Sequence, residues 1–149
     1  MKRLPSLMML VGLVIIWWPL IVWAEPPYTP KVGSAERIAV CDAMRTYVKA
    51  YRAPRHVLFN VDQMKVLGQY CYFEGHVVFA DGSSVPEEYL PDVVYNTFLK
   101  HEASGWKVIL DLTRTDVPSD REVMEIRRGF PSDIPRQIVP QFWKDLLKL

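Results

Sequence analysis

The serine pair Ser83 and Ser84 and the three histidines are the side chains in this sequence that could take part in nucleophilic chemistry. Ser83 and Ser84 would need a histidine or another base in contact with them, and that base would need a third group to orient it. The three histidines, His56, His76 and His101, fall at the start of one strand-like run, inside a second, and beside a turn. Because these places need not converge, we expect no nucleophilic triad.

The acidic residues and the known catalytic motifs point the same way. Glu87 and Glu88 are adjacent in sequence and expected to be solvated, whereas a glycosidase needs two carboxyl groups placed across a cleft. The patterns G-x-G-x-x-G, G-x-x-x-x-G-K-[ST], H-E-x-x-H and C-x-x-C do not occur. The two cysteines lack histidines at ligand spacing, so a zinc site is not expected. We therefore expect a protein that is not an enzyme and needs no cofactor or metal.

The beginning of the chain has the pattern of a secretory signal peptide. Lys2 and Arg3 precede an uncharged apolar run over residues 7–24, which ends with Val22 and Ala24 at the −3 and −1 positions of a cleavage site. The alternative is an uncleaved anchor in the inner membrane, because a run of 18 residues is at the margin for crossing a bilayer. Either form predicts a periplasmic location for the folded part.

Removal of residues 1–24 would leave 125 of the 149 residues, enough for one domain. Lys2 and Arg3 are two of the 18 bases, so 16 bases remain against 17 acids, a formal charge of −1. A near-neutral domain without a basic stripe argues against nucleic acid as a partner. Three prolines in residues 25–33 predict an extended leader, followed by a single domain over residues 34–149.

The two cysteines of this exported part predict a disulfide. Cys41 and Cys71 are an even pair in an oxidising compartment. The alternative is two buried thiols that never meet, since cysteine is among the most often buried residues.

The first element is predicted to be a helix over residues 34–51. Ser34 is its expected N-cap, and Pro54 follows its end. Apolar residues recur at spacings of three and four, which defines a buried face. That face consists of Ile38, Cys41, Met44, Val48 and Tyr51.

Alternating apolar runs then predict about four antiparallel strands. A slip in the alternation indicates a bulge near Asp62 and Gln63. In the second strand Cys71 faces the core, while Tyr70 and Tyr72 take the other face. The tyrosines could form a binding surface, or the C-terminal segment could cover them.

The last strand alternates Trp106, Val108, Leu110 and Leu112 on one face. The end of the chain predicts short helices, the first with a capping box at Ser119. The sum is an α+β fold in which an N-terminal helix packs on an antiparallel sheet, by analogy with cystatin and NTF2-like folds.

The connection over residues 81–92 is long for a hairpin and holds four acids and two prolines. The prolines stiffen it, and apolar residues stand among its acids. We expect such a loop to enter a basic cleft on a partner, with Glu87, Glu88, Tyr89 and Leu90 as contacts. The alternative is a tolerated insertion.

Three stretches, "GSAERIAVCDAMR", "SGWKVILDLTRTDVPS" and "FPSDIPRQIV", resemble a set of small exported bacterial domains. In these an S-x-E-R-x-x-h-x-D-A-h-R helix, where h is apolar, precedes a W-x-V strand. Such domains are similar to periplasmic immunity proteins that neutralise type VI-secreted effectors of the L,D-transpeptidase-like class, which attack peptidoglycan. The resemblance implies a non-enzymatic inhibitor whose partner is a cognate secreted effector. The alternative is a periplasmic small-ligand-binding or envelope-stress domain, with its ligand between helix and sheet.

Overall fold

The computed structural model describes residues 25–49, 57–86, 94–114 and 116–149. Within them the chain forms three α-helices and a four-stranded antiparallel sheet, so the predicted α+β class is confirmed. The elements in chain order are α1 (Ala35–Lys49), β1 (Val57–Leu67), β2 (Tyr70–Phe79), β3 (Val94–Glu102), β4 (Gly105–Asp111), α2 (Asp120–Gly129), a 3-10 turn (Arg136–Ile138) and α3 (Gln141–Leu147).

The sheet is a meander in which each strand pairs with the next, in the order β1-β2-β3-β4. The turn between β3 and β4 is closed by Gly105, whose φ of +105° is a conformation that favours glycine. In β1 the pairing with β2 shifts between Val61 and Gln63, which leaves Asp62 as the extra residue. The predicted bulge is therefore confirmed at this position.

Helix α1 covers one face of the sheet. The Ser34 side chain accepts a hydrogen bond from the Arg37 amide at 3.3 Å, which confirms the N-cap. The helix buries Val40, Met44 and Val48 completely. The predicted face was wrong at Ile38, which is 49% exposed, because the stripe at spacing four is centred on Val40 rather than on Ile38. Tyr51 and Pro54 lie outside the described residues.

Strand β4 changes face part of the way along its length. Phe98 pairs with Leu110 and Leu99 pairs with Val108, so Ile109 is an extra residue in the ladder. Val108 packs on the α1 side of the sheet, whereas Leu110 and Leu112 pack on the other side. The predicted single alternation is therefore wrong after Val108, because the extra residue reverses the direction of the following side chains.

The second face of the sheet is covered by the C-terminal segment. Tyr70 is 6% exposed and Tyr72 is fully buried. The residues that pack over them come from the end of α2 to α3: Phe130, Ile134, Ile138, Val139, Trp143 and Leu147. Of the two readings of the tyrosine stripe, the structure supports coverage by the C-terminal segment.

The leader after residue 24 is attached to the domain. Tyr28 exchanges two backbone hydrogen bonds with Val66, at 3.0 and 2.8 Å, and Thr29 donates to the Met64 carbonyl at 2.9 Å. This pairing covers part of the free edge of β1. The predicted signal peptide, residues 1–24, lies outside the described residues. Among the residues that the structure describes, no helix is long and apolar enough to cross a bilayer.

Candidate functional site

The connection between β2 and β3 is fixed to the sheet where it begins. The Phe79 amide donates to the Ser83 carbonyl at 2.9 Å, and Ser84 forms a bridge with Val78. Asp81 Oδ1 accepts from both the amide and the hydroxyl of Ser83, at 2.9 and 2.6 Å. The first four residues of the loop therefore fold back along the end of β2.

Val85 attaches the loop to the core as well. Its side chain is 8% exposed and belongs to the cluster that α1 forms with the sheet. The loop thus returns to the protein interior immediately before Pro86. The predicted contacts, Glu87, Glu88, Tyr89 and Leu90, lie outside the described residues, and their role stays a prediction.

An open cleft of about 450 Å³ lies on the second face of the sheet, beside the part that the C-terminal segment covers. Its floor is formed by Tyr72 and Glu74 of β2 and Asn96 of β3. Glu74 and Asn96 are direct cross-strand partners, so the sheet register places them side by side. The volume is within the range of small-ligand sites.

The Tyr72 hydroxyl is the centre of the floor. It lies 2.7 Å from Glu74 Oε2 and 2.7 Å from Asn96 Oδ1. Burial raises the pKa of Tyr72 well above its ordinary value, and the hydrogen bond and negative charge of Glu74 raise it further. The phenol therefore keeps its proton at neutral pH.

Asn96 is held by its neighbours. Its Nδ2 donates to the Val94 carbonyl at 3.0 Å, and its backbone amide donates to Thr113 Oγ1 at 3.1 Å. The Leu112 amide donates to the Asn96 carbonyl at 2.7 Å, which continues the pairing beyond β4. The backbone bonds hold Asn96 in the sheet, and the bond of Nδ2 to Val94 is consistent with a side-chain oxygen directed toward Tyr72.

The rim of the cleft is apolar with two charges. Trp143 is 5% exposed and forms an edge-to-face contact with Phe142, which is 59% exposed. Val117, which also lines the cleft, is 84% exposed. Arg114 and Asp116 supply the charges of the rim, in addition to Glu74 on the floor.

The sequence analysis did not identify Glu74 as a site residue. The available signal is a glutamate between Phe73 and Gly75, in a strand whose only other ionisable group outside its tyrosines and cysteine is His76. The cleft itself depends on where the C-terminal segment stops covering the sheet. That boundary is set by packing between distant parts of the chain, and no local sequence pattern encodes it.

The structure contains Cys41 and Cys71 as free thiols, so the predicted disulfide is not formed in it. Cys71 is fully buried, whereas Cys41 is partly exposed at the flank of α1, because Val40 and Met44 occupy the centre of the interface. Burial raises the pKa of both thiols. Thiols of this kind are poor nucleophiles at neutral pH.

The two described histidines have separate surroundings. His76 Nε2 lies 3.1 Å from the carboxylate of Asp62, the bulge residue. His101 is exposed and packs edge-to-face on Trp106, with the ring centroids 5.1 Å apart. His56 is outside the described residues. In the described ranges, no group of three or more His, Cys, Asp or Glu side chains is placed to hold a metal ion.

The fold and the site together define a small α+β domain with an anchored acidic loop and an open, polar-floored cleft. Comparisons with protein-family models, with curated proteins and with solved structures found no significant match.

Proposed function

We propose that this chain is a periplasmic immunity protein that binds and blocks a peptidoglycan-targeting toxin of a type VI secretion system. The observation that carries the proposal is the anchored base of the loop over residues 81–92. Ser84 pairs with Val78, and Val85 is buried, before the acidic stretch begins. The signal-peptide pattern and the resemblance of three sequence stretches to exported immunity domains support the compartment and the class.

The mechanism is occlusion of the toxin's cleft. A loop whose base is fixed loses less conformational entropy on docking than a free one. Glu87 and Glu88 provide negative charge for a basic cleft, which raises the association rate and selects the partner. Tyr89 and Leu90 are the apolar groups that become buried, and such anchors supply most of the affinity in protein complexes.

The test is protection of cells against the cognate toxin, which we expect a neighbouring gene to encode as a secreted wall-active enzyme. Triple alanine replacement at Glu87, Glu88 and Tyr89 is expected to abolish protection and co-purification while the fold is retained. A matched control replaces two acids and one exposed apolar residue on α2, namely Asp120, Glu125 and Met124. Full protection by the loop variant would remove the loop from the mechanism.

A pull-down tests the class of function itself. The tagged chain, expressed to the periplasm, is expected to retain one protein partner from cells that carry the toxin. Recovery of no protein partner under these conditions would contradict the immunity function. A wild-type pull-down that succeeds with an unaffected triple variant would contradict only the role of the loop.

A periplasmic small-ligand-binding domain is the second candidate, and the polar floor of the cleft favours it. The space between α1 and the sheet is filled by side chains such as Met44 and Phe73, both fully buried. On the α1 side, a depression of about 700 Å³ remains between α1 and the β3–β4 hairpin. The cleft beside Tyr72, on the opposite face, has the polar floor that favours a ligand there.

A further inference from the structure

The floor of the cleft contains more hydrogen-bond acceptors than protons. The Tyr72 hydroxyl has one proton, and oxygen atoms of Glu74 and Asn96 both lie 2.7 Å from it. The Asn96 amide cannot turn to supply a proton without placing its oxygen against the Val94 carbonyl, to which Nδ2 now donates at 3.0 Å. The single proton of the hydroxyl can serve only one of these two contacts. In the other contact two oxygens face each other with no proton between them.

We propose that the cleft beside Tyr72 binds a primary ammonium group carried on an aliphatic stem. An ammonium has three donors and no acceptor, so it complements the oxygens of Glu74 and Asn96, which are the partly exposed polar groups of the floor. Its charge also compensates the Glu74 carboxylate, for which the described residues provide no ion pair.

The walls suit the stem of such a ligand. Leu112, Val117 and Phe142 line the cleft, so methylene groups would contact apolar surface. Arg114 is the positive charge on the rim. Its guanidinium donates to the Thr113 carbonyl at 2.6 Å. The pKa of Glu122 at the start of α2 is lowered mainly by hydrogen bonds from Ser119, and to a smaller extent by the charge of Arg114. The floor therefore keeps the negative charge of Glu74, and the positive charge of Arg114 lies at the rim.

The ammonium can come from a free amine or from a lysine side chain of a polypeptide, and the two sources share this chemistry. Three probes separate the cases: n-pentylammonium, the capped peptide acetyl-Ala-Lys-Ala-amide, and n-pentanol as a neutral ligand with the same stem. The measurement is a ¹⁵N NMR titration of protein purified from the cell envelope. The indole N–H of Trp143 reports on the cleft, and that of Trp106, in a depression between α1 and the β3–β4 hairpin, is the internal control.

We expect n-pentylammonium to shift the Trp143 indole and Asn96 side-chain resonances while Trp106 stays unchanged. A free-amine site binds n-pentylammonium and excludes the capped peptide, whereas a lysine-docking site binds both. Equal shifts with n-pentanol, or no shifts with either ammonium probe, would overturn the proposal.

Replacement of the carboxylate is the second test. Glu74→Gln keeps the length of the side chain, and its amide can donate to Tyr72, which removes the surplus of acceptors. We expect binding of n-pentylammonium to weaken by about tenfold or more, since hydrogen bonds to charged groups are the stronger ones. The matched control is Asp42→Asn, an acid-to-amide change in the depression beside α1, which should leave binding unchanged.

Thermal melting of both variants checks that the fold is intact. Unchanged binding in Glu74→Gln would contradict the proposal. The proposed ammonium site does not depend on the immunity function. A chain that protects cells from the toxin but does not bind n-pentylammonium in its cleft would contradict only the ligand site.

Discussion

The Tyr47 hydroxyl on α1 donates to Asp111 Oδ2 at the end of β4, with the two oxygens 2.6 Å apart. The other carboxylate oxygen of Asp111 accepts from the Thr113 amide at 2.8 Å. One side chain thereby joins the helix on the first face of the sheet to the segment that leads into the cleft on the second. Asp111 can do so because the extra residue Ile109 has turned the strand over before it.

Replacement of Tyr47 by phenylalanine is expected to lower the free energy of unfolding by about 1–2 kcal/mol, because a partly buried carboxylate loses its hydroxyl donor. Urea denaturation measures the change. Thr46→Ala, which removes an exposed hydroxyl bonded to the Asp42 carbonyl of the same helix, should change stability by less than about 0.5 kcal/mol. Equal urea midpoints for the two variants would show that the Tyr47 bond contributes nothing.

Gly75 on β2 leaves no room for a side chain. A Cβ at this position would lie 2.6 Å from the Asn60 carbonyl oxygen and 3.2 Å from the Val61 Cα. Gly75→Ala is expected to destabilise the protein by about 1–3 kcal/mol, since the backbone of β1 would have to move. Gly129→Ala is the control, because nothing lies within 4 Å of a Cβ there. Loss of stability in both variants to the same extent would contradict this reason.

Much of the fold could be predicted because local patterns agree with it. The Ser119–Glu122 capping box forms as expected, with the Ser119 amide 2.9 Å from the glutamate. The irregularity near Asp62 was visible as a break in alternation. These features are encoded within a few residues, so their sequence patterns suffice.

The errors have a common physical origin in the packing between elements. On α1, Ile38 fits the same spacing rule as Val40, and only the position of the helix on the sheet decides between them. On β4, the extra residue Ile109 interrupts no apolar run, so the sequence gives no break to read. The cleft beside Glu74 depends on how far the C-terminal segment extends over the sheet, which is likewise a tertiary property.

The hydrogen bond between Tyr70 and Asp133 leads us to expect that the stability of the fold depends on pH in the acid range. Asp133 Oδ2 accepts from the Tyr70 hydroxyl and from Lys100 Nζ, the latter at 3.1 Å. These two bonds lower the pKa of Asp133 below its ordinary value of 3.8, the Tyr70 bond having the larger effect. A lowered pKa in the folded state gives stability that is present above the ordinary pKa and is lost as the pH falls through the folded value.

Asp133→Asn should therefore be less stable than the wild type at neutral pH, and the difference should narrow as the pH falls below 3.8. Urea midpoints over an acid series measure it. Asp145→Asn, which changes an exposed carboxylate bonded to Gln141, is the matched control and should show no such narrowing. A constant difference at every pH would mean that Asp133 acts by packing rather than by its charge.

The buried thiol of Cys71 leads us to expect that the stability of the fold decreases at alkaline pH. Burial raises the pKa of its thiol well above the ordinary value of 9.0, because the charged thiolate is disfavoured away from water, and the negative charge of Glu36 raises it further. A raised pKa in the folded state gives stability that is complete below 9.0 and is lost as the pH rises, since only the unfolded chain releases the proton there. One such thiol contributes a slope of up to about 1.4 kcal/mol per pH unit.

Cys71→Ala removes this proton while it leaves a small void at neutral pH. With reductant present, we expect the variant to be less stable than the wild type near neutral pH but to lose stability less steeply above pH 9.0. Urea denaturation at a series of alkaline pH values gives both slopes. The Tyr72 pKa is also raised by burial, so the variant keeps part of the alkaline loss. Parallel curves for the two proteins would show that the Cys71 thiol releases its proton equally in the folded and the unfolded chain, and would exclude it as the source of alkaline sensitivity.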